Sequence, residues 1–287
     1  MSLAGGKLKA ASVSIGVNIA MVIAKTLAAF ATGSIALFAE VAHSFFDLIA
    51  SVLAYWGIKK AERPSDETHH FGHYKYENLS SLLQSLLITG TAFVVLYEAV
   101  LKFLHPSPIE NSEIGIGLML VSIPVSYFTS RYLNNAAKHA GGSQALEADS
   151  AHFITDILAS VSVLIGLILV KFGIPAGDPV SAFIVGLVML YISYEIGIRA
   201  FHVFMDKSPD KETMMRIEEI VKSEKRISRF HKLRARVSGS SIYVDMHIHV
   251  MQDMKVRSAH TIAHELKARI MRKVPAVKDV QIHIEPD

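Results

Sequence analysis

The sequence predicts an α-helical membrane domain of six transmembrane helices built on an inverted repeat, joined to a small C-terminal cytoplasmic α+β domain of order αββαβ. Three observations carry that expectation. Hydrophobic residues make up 51% of the 287 residues and charged ones only 19%, with a mean hydropathy of +0.35. That balance suits a membrane protein carrying a soluble piece. Six stretches are apolar enough to cross a bilayer, which takes roughly 20 residues each. Beyond Asp206 the pattern changes to short strands in which apolar and polar residues alternate. The expected domains are therefore residues 1–206 and 207–287.

The spans fall at about 8–31, 34–58, 79–103, 114–133, 146–172 and 179–203. Lys7 and Lys9 flank the first apolar run, which has no convincing cleavage site and reads as a span, not a removable signal. The loop charges are one-sided. Lys59, Lys60, Arg63 and Lys75, then Arg131 and Lys138, then the Lys/Arg-rich tail fall on the side of the N-terminus. The opposite loops, near Thr32-Gly33, His105–Ser112 and Gly173–Asp178, carry almost no positive charge. The positive-inside rule then puts both termini in the cytoplasm of a multi-pass protein, for which a bacterial inner membrane fits best.

Within the second span, Ala39-Glu40-Val41-Ala42-His43 runs on to Asp47 and Ala50-Ser51-Val52. The fifth span repeats it as Ala148-Asp149-Ser150-Ala151-His152, Asp156 and Ala159-Ser160-Val161. A His and an Asp four apart share one helix face, about 6 Å apart along the axis. The second span runs outside to inside and the fifth inside to outside, so the two copies are antiparallel, a recurrent transporter plan. Together His43, Asp47, His152 and Asp156 supply two imidazoles and two carboxylates, a complete tetrahedral set for zinc-like ions. Small-residue helix packing explains the alanines and serines of the repeat, but not the matched His and Asp. Glu40 and Asp149 precede their histidines by one turn. The spacing predicts a hydrated acid at the mouth of each cavity, with a role as ion or proton way station as the sharper alternative.

Past residue 207, the segment 214–221 begins an amphipathic helix. Residues 231–237 and 241–250 read as strands around Ser238-Gly239-Ser240, residues 258–274 as a second helix ended by Pro275, and 280–285 as a last strand. The order suggests a small open sheet with helices on one face. Ile242, Val244, Met246, Ile248 and Val250 point one way, and Tyr243, Asp245, His247 and His249 the other. Val280, Ile282 and Ile284 likewise oppose Gln281, His283 and Glu285. One face builds a core; the other gathers imidazoles and carboxylates.

The chain resembles the cation diffusion facilitator family, and within it the YiiP-like bacterial zinc and iron exporters. The resemblance covers essentially the whole chain and implies that the tail is ferredoxin-like. It rests first on the paired His/Asp motifs, implying that His43, Asp47, His152 and Asp156 form the transport site. It rests next on Asp66-Glu67-Thr68-His69-His70-Phe71-Gly72-His73-Tyr74-Lys75-Tyr76-Glu77, which is similar to the family's loop between spans two and three. That match implies a loop metal site at Asp66, His69 and His73. In the tail, His231, His247, His260, His283 and Glu285 stand at the family's cytoplasmic metal positions. His249 lies on the same face but outside that match, and His264 and Glu98 read as a surface residue and a span-end residue. Glu285 stands where close relatives carry Asp, and His43 where some members carry Asp. Asp206 matches an acid that in relatives pairs with the counterpart of Lys75 near the dimer axis.

The expected function is a homodimeric metal/proton antiporter exporting a divalent transition metal, most readily Zn²⁺, with Fe²⁺, Mn²⁺, Co²⁺ and Cd²⁺ as further candidates. The tail is expected to be a metal-sensing dimer module. Metal and protons compete for imidazole and carboxylate ligands, which supplies the coupling. No phosphate-binding Gly-x-x-x-x-Gly-Lys-Ser/Thr motif is present, leaving the proton gradient as the energy source. A formal net charge of +3 without a dense basic stripe excludes nucleic acid as a partner. Zero cysteines exclude disulfides, thiolate nucleophiles and Cys-based zinc sites. The competing classes are an intramembrane metal-dependent hydrolase and a membrane metal sensor without flux. The hydrolase is the weaker, since four protein ligands close the shell to water and no His-Glu-x-x-His occurs.

Overall fold

A computed structural model of the protein describes residues 3–32, 35–105, 113–172, 174 and 176–287. The chain separates into two compact units, Met1–Phe201 and His202–Asp287. The first is helical, with α1 (Leu3–Thr32), α2 (Ile35–Ala61), α3 (Lys75–Leu104), α4 (Glu113–His139), α5 (Gln144–Lys171) and α6 (Gly177–Phe204). At about 1.5 Å rise per residue, each is long enough for a hydrocarbon core of about 30 Å.

Among the described residues, five of these helices are long and apolar enough to cross a membrane, and α4 is not one of them. Ser122, Ser126, Thr129, Ser130 and Arg131 dilute its apolar run, and Pro124 interrupts it. Two of those hydroxyls are satisfied within the helix, Ser122 Oγ donating to Leu118 O and Thr129 Oγ1 to Val125 O, each at 2.8 Å, and Ser130 Oγ meets Ser150 Oγ at 2.9 Å. Polar residues can line a bundle interior at little cost when they bond in this way.

Close approach in the bundle depends on small residues. At Gly57 on α2 a Cβ would run into the Ser80 side chain of α3, and the neighbouring Ser80 Oγ donates across to Leu53 O at 2.7 Å. The reversal from α4 to α5 uses Gly141 and Gly142 at φ 77° and 87°, a backbone region where residues with a Cβ are strained. The N–H groups of Gly142 and Ser143 both return to Ala137 O, at 3.0 and 3.3 Å.

The second unit contains α7 (Lys211–Lys222), β1 (Arg229–Ser238), β2 (Ser241–Val250), α8 (Val256–Lys273) and β3 (Val277–Pro286). Its sheet runs β1-β2-β3, antiparallel between β1 and β2 and parallel between β2 and β3. α8 makes the crossover that a parallel pair requires. The helix α7 begins three residues before the segment at 214 because Asp210 caps it: Asp210 Oδ1 accepts the Thr213 N–H at 2.8 Å. As the alternation predicts, Ile242, Val244, Met246, Ile248 and Val250 are all buried, packing with Ile217, Ile220, Val221, Leu266 and Ile270 of the helices. The buried Glu224 ties the end of α7 to α8. Arg226 Nε and Nη2 donate to it at 2.7 and 2.9 Å and Arg269 Nη2 at 2.8 Å. These bonds, those from Arg226 foremost, hold its carboxyl down at about 2.

Candidate metal sites

In the helical unit, the repeat brings its residues together across α2 and α5. His43 Nε2 lies 3.9 Å from Asp47 Oδ1 and 3.7 Å from Asp156 Oδ1. His152 Nδ1 lies 3.5 Å from Asp47 Oδ1. His43, Asp47 and Asp156 can each offer one ligand atom within 4.8 Å of the others. Ligands about 2.05 Å from a tetrahedral zinc sit about 3.3 Å apart, so these three separations of 3.5–3.9 Å would contract by a few tenths of an ångström around an ion, while His152 stands outside the group of three. Among the described residues, the buried Asp156 Oδ1 and both nitrogens of His152 have no hydrogen-bond partner. Buried polar atoms are normally bonded, and a dication would satisfy these.

A cavity of about 260 Å³ reaches this cluster, with His43, Asp47 and Asp156 in its wall. It extends past Lys25 of α1, Glu98 and Lys102 of α3, and Asp178 of α6. Glu98 is therefore a wall residue as well as a span-end residue. Lys102 and Asp178 face each other at 3.4 Å across the cavity's far end.

Asp149 does not sit at a hydrated mouth. It is 0% exposed, and its Oδ1 accepts Ser51 Oγ at 2.8 Å. Ser51 Oγ also meets Ser14 Oγ and accepts Asn18 Nδ2, both at 2.7 Å. Its depth is set by α1, whose Ser14 and Asn18 bond the Ser51 hydroxyl that caps it. The side chain of Glu40 lies outside the described residues.

The loop from 62 to 74 holds a second cluster, Asp66, His69 and His73, within 4.8 Å of one another. Asp66 Oδ1 accepts Thr68 Oγ1 at 2.9 Å and the N–H groups of His69 and Thr68 at 2.8 and 2.9 Å. Those bonds, the Thr68 hydroxyl first, hold its carboxyl far below the usual range, as an ionised ligand. His73 is buried, with Nδ1 3.1 Å from Pro64 O. Donation to that carbonyl turns a lone pair on Nε2 towards Asp66 Oδ2, 3.3 Å away. Lys75 opens α3 just beyond.

The tail cluster follows from strand register. His231, His247 and His283 are aligned across β1, β2 and β3, and Glu285 is paired with His249 in the next row of the same face. Glu285 Oε1 lies 2.6 Å from His247 Nδ1 and 3.7 Å from His283 Nε2. Its Oε2 lies 3.0 Å from both His231 Nε2 and His249 Nε2. Hydrogen bonding by His247, then by His231, brings the Glu285 carboxyl down to about 2. A bulge between His231 and Arg234, with Lys232 at φ 50°, breaks the β1 ladder beside His231. His249 thus joins the cluster, as strand alternation allowed and the family match did not. His260 does not: it stands on α8 against His264, ring centroids 4.3 Å apart. Helical spacing of four explains that pairing. Asp206 lies 3.9 Å from Arg236 Nη1.

Residues 11–205 match the family model for the cation efflux transmembrane domain, and residues 209–287 the model for the cation efflux protein cytoplasmic domain. A cation-efflux pump FieF of Shewanella oneidensis is 29% identical over 278 residues, 97% of this chain and 93% of that protein. A cation-efflux pump FieF of Yersinia pestis is 30% identical over 266 residues, covering 93% and 88%. Among solved structures, the metal-bound C-terminal domain of the CzcD transporter from Thermotoga maritima is similar at 24% identity, with a TM-score of 0.26. That likeness covers 26% of this chain and 87% of that one. Family models spanning nearly the whole length, over a multi-span helical region and an α+β tail with clustered metal-ligating side chains, settle the assignment: the chain belongs to the cation efflux family, the cation diffusion facilitators, as a multi-pass divalent-metal efflux transporter and not an enzyme.

Proposed function

We propose that the protein exports Zn²⁺ from the cytoplasm in exchange for protons, working as a homodimer with both termini in the cytoplasm. The single observation that carries this reading is the cluster of His43, Asp47 and Asp156 in the wall of a cavity within the helical unit, with His152 Nδ1 3.5 Å from Asp47 Oδ1 beside it. Its two-nitrogen, two-oxygen donor set suits zinc, and also accepts Fe²⁺, Co²⁺ or Mn²⁺; two imidazoles favour zinc over the larger Cd²⁺. In this account α4 is the sixth span, polar because it faces the bundle interior. An antiparallel repeat suits a site that either side reaches in turn. Imidazole and carboxylate bind metal only when deprotonated, so each dication that binds displaces protons and each proton that returns displaces metal.

The loop triad of Asp66, His69 and His73 is then an accessory metal site. The tail cluster centred on Glu285 is a regulatory one, biasing the dimer through metal binding.

The test is flux in proteoliposomes loaded with a zinc-sensitive dye. Zinc entry should be driven by an outward proton gradient, with protons leaving as zinc enters, and uptake should slow when that gradient is reversed. Zinc flux indifferent to the sign of the gradient would overturn antiport. Metal binding without flux would favour the membrane sensor instead.

A further inference from the structure

The cavity is one-ended. Its walls come from the C-terminal halves of α1 and α3, the N-terminal halves of α2, α4 and α6, and the body of α5 from Phe153 onward. In an up-and-down bundle these parts lie on one side of the metal cluster. On the opposite side, the ends of α1, α2 and α4 and the start of α5 are packed together by Ala10, Ala11, Ile58, Leu133, Ala137, Ala145 and Leu146, all buried. On the proposed topology, which this inference rests on, the cavity opens away from the cytoplasm and the sealed end faces it.

At the sealed end lies a charged pair that the transport chemistry does not use. Lys7 of α1 and Glu77 of α3 are 6% and 3% exposed, and Lys7 Nζ meets Glu77 Oε1 at 2.6 Å. The other carboxylate oxygen accepts Ser143 Oγ at 2.7 Å from the turn before α5, where Ser143 is 0% exposed. Two neutral bonds run alongside: Asn78 Nδ2 to Gln144 Oε1 at 2.9 Å and Gln84 Nε2 to Ala145 O at 3.4 Å. One carboxylate therefore ties together α1, α3 and the start of α5.

We propose that Lys7, Glu77 and Ser143 form the latch that holds the cytoplasmic end of the transport path closed while the cavity is open on the other side. An apolar contact would hold the three elements together as well, since a buried ion pair adds little net stability over well-packed hydrophobic residues. What an ion pair adds is a second state. When the ends separate, both charges regain water, so the cost of burying them is returned on opening, and the open and closed arrangements stay close in free energy. An alternating-access transporter needs that balance, because a metal site sealed permanently on one side carries nothing.

The chain contains no cysteine, so single introduced cysteines report accessibility without background. In the full-length protein in vesicles, one reporter is placed in the cavity wall by Ser122→Cys and one in the sealed cluster by Ala11→Cys. Each is reacted with a membrane-impermeant thiol reagent from either side. Combined with Glu77→Gln or Lys7→Met, the sealed-end reporter should react about tenfold faster or more and the cavity reporter correspondingly slower, because losing one partner disfavours the state that buries the other. Exchanging the charges, Lys7→Glu with Glu77→Lys, should return both rates towards the parent. Unchanged rates in both single variants would overturn the latch. So would both reporters speeding up together with a fall in melting temperature, the signature of a simple structural brace. If instead the cavity reporter is reached from the cytoplasmic face and the sealed one from outside in the variants, the latch stands and the proposed orientation fails.

Discussion

Asp156→Ala should abolish metal export while leaving a folded protein. Asp156 is partly buried in the cavity wall, and its Oδ1 has no hydrogen-bond partner among the described residues, so its removal breaks no hydrogen bond at that oxygen. What is lost is one of four ligand positions. Changes merely to groups that orient ligands cost 10–100-fold in affinity, so deleting a ligand should lower zinc flux by well over about a hundredfold. Asp156→Asn keeps the shape but removes the charge, and should also fail. Near-normal zinc flux by either variant in vesicles would remove Asp156 from the transport site.

Replacing His247 and His283 together by alanine should erase the metal response of the tail without stopping transport. In the native sheet four imidazole nitrogens surround the two oxygens of Glu285 at 2.6–3.7 Å. Those groups form two triads that share Glu285, one of His247 and His283 at Oε1 and one of His231 and His249 at Oε2. A dication bound there stabilises the folded tail in proportion to its occupancy, about 2.7 kcal/mol at a hundredfold excess over Kd. Residues 207–287 have their own hydrophobic core, and the isolated segment should melt several degrees higher with zinc than without. The double variant should show no such gain, and in the full-length protein should keep flux with a changed dependence on metal concentration. A tail whose melting is indifferent to zinc would leave it a plain dimerisation module. His249→Ala should weaken the response in part, because His249 Nε2 approaches Glu285 Oε2 from the side away from His283.

Much of this arrangement was written in local periodicities. A spacing of four placed His43 beside Asp47 on one helix face, and alternation in β2 and β3 put His247, His283 and Glu285 on one sheet face. What escaped depended on partners distant in the chain. Lys7 and Glu77 are 70 residues apart, and neither charge looks unusual at the end of an apolar run, where snorkelling to water is the ordinary outcome. Asp149 lies deeper than expected, because Ser14 and Asn18 of α1 gather over it through Ser51, and no periodicity within α5 encodes that. His249 was visible by alternation yet had no counterpart in the family pattern. His260 had one, and within a single chain it packs against its own helix neighbour His264.

In the proposed transport site one zinc ion is held by His43, Asp47, His152 and Asp156. That assignment is tested most directly by X-ray absorption at the zinc edge on full-length protein whose loop and tail ligands have been removed, with His69, His73, His231, His247, His249 and His283 all replaced. One zinc per chain is expected, in a four-coordinate shell of two nitrogens and two oxygens at about 2.0–2.2 Å, and it should be lost when Asp156→Ala is added. Zinc absent from the parent, or retained with an unchanged shell after Asp156→Ala, would contradict it.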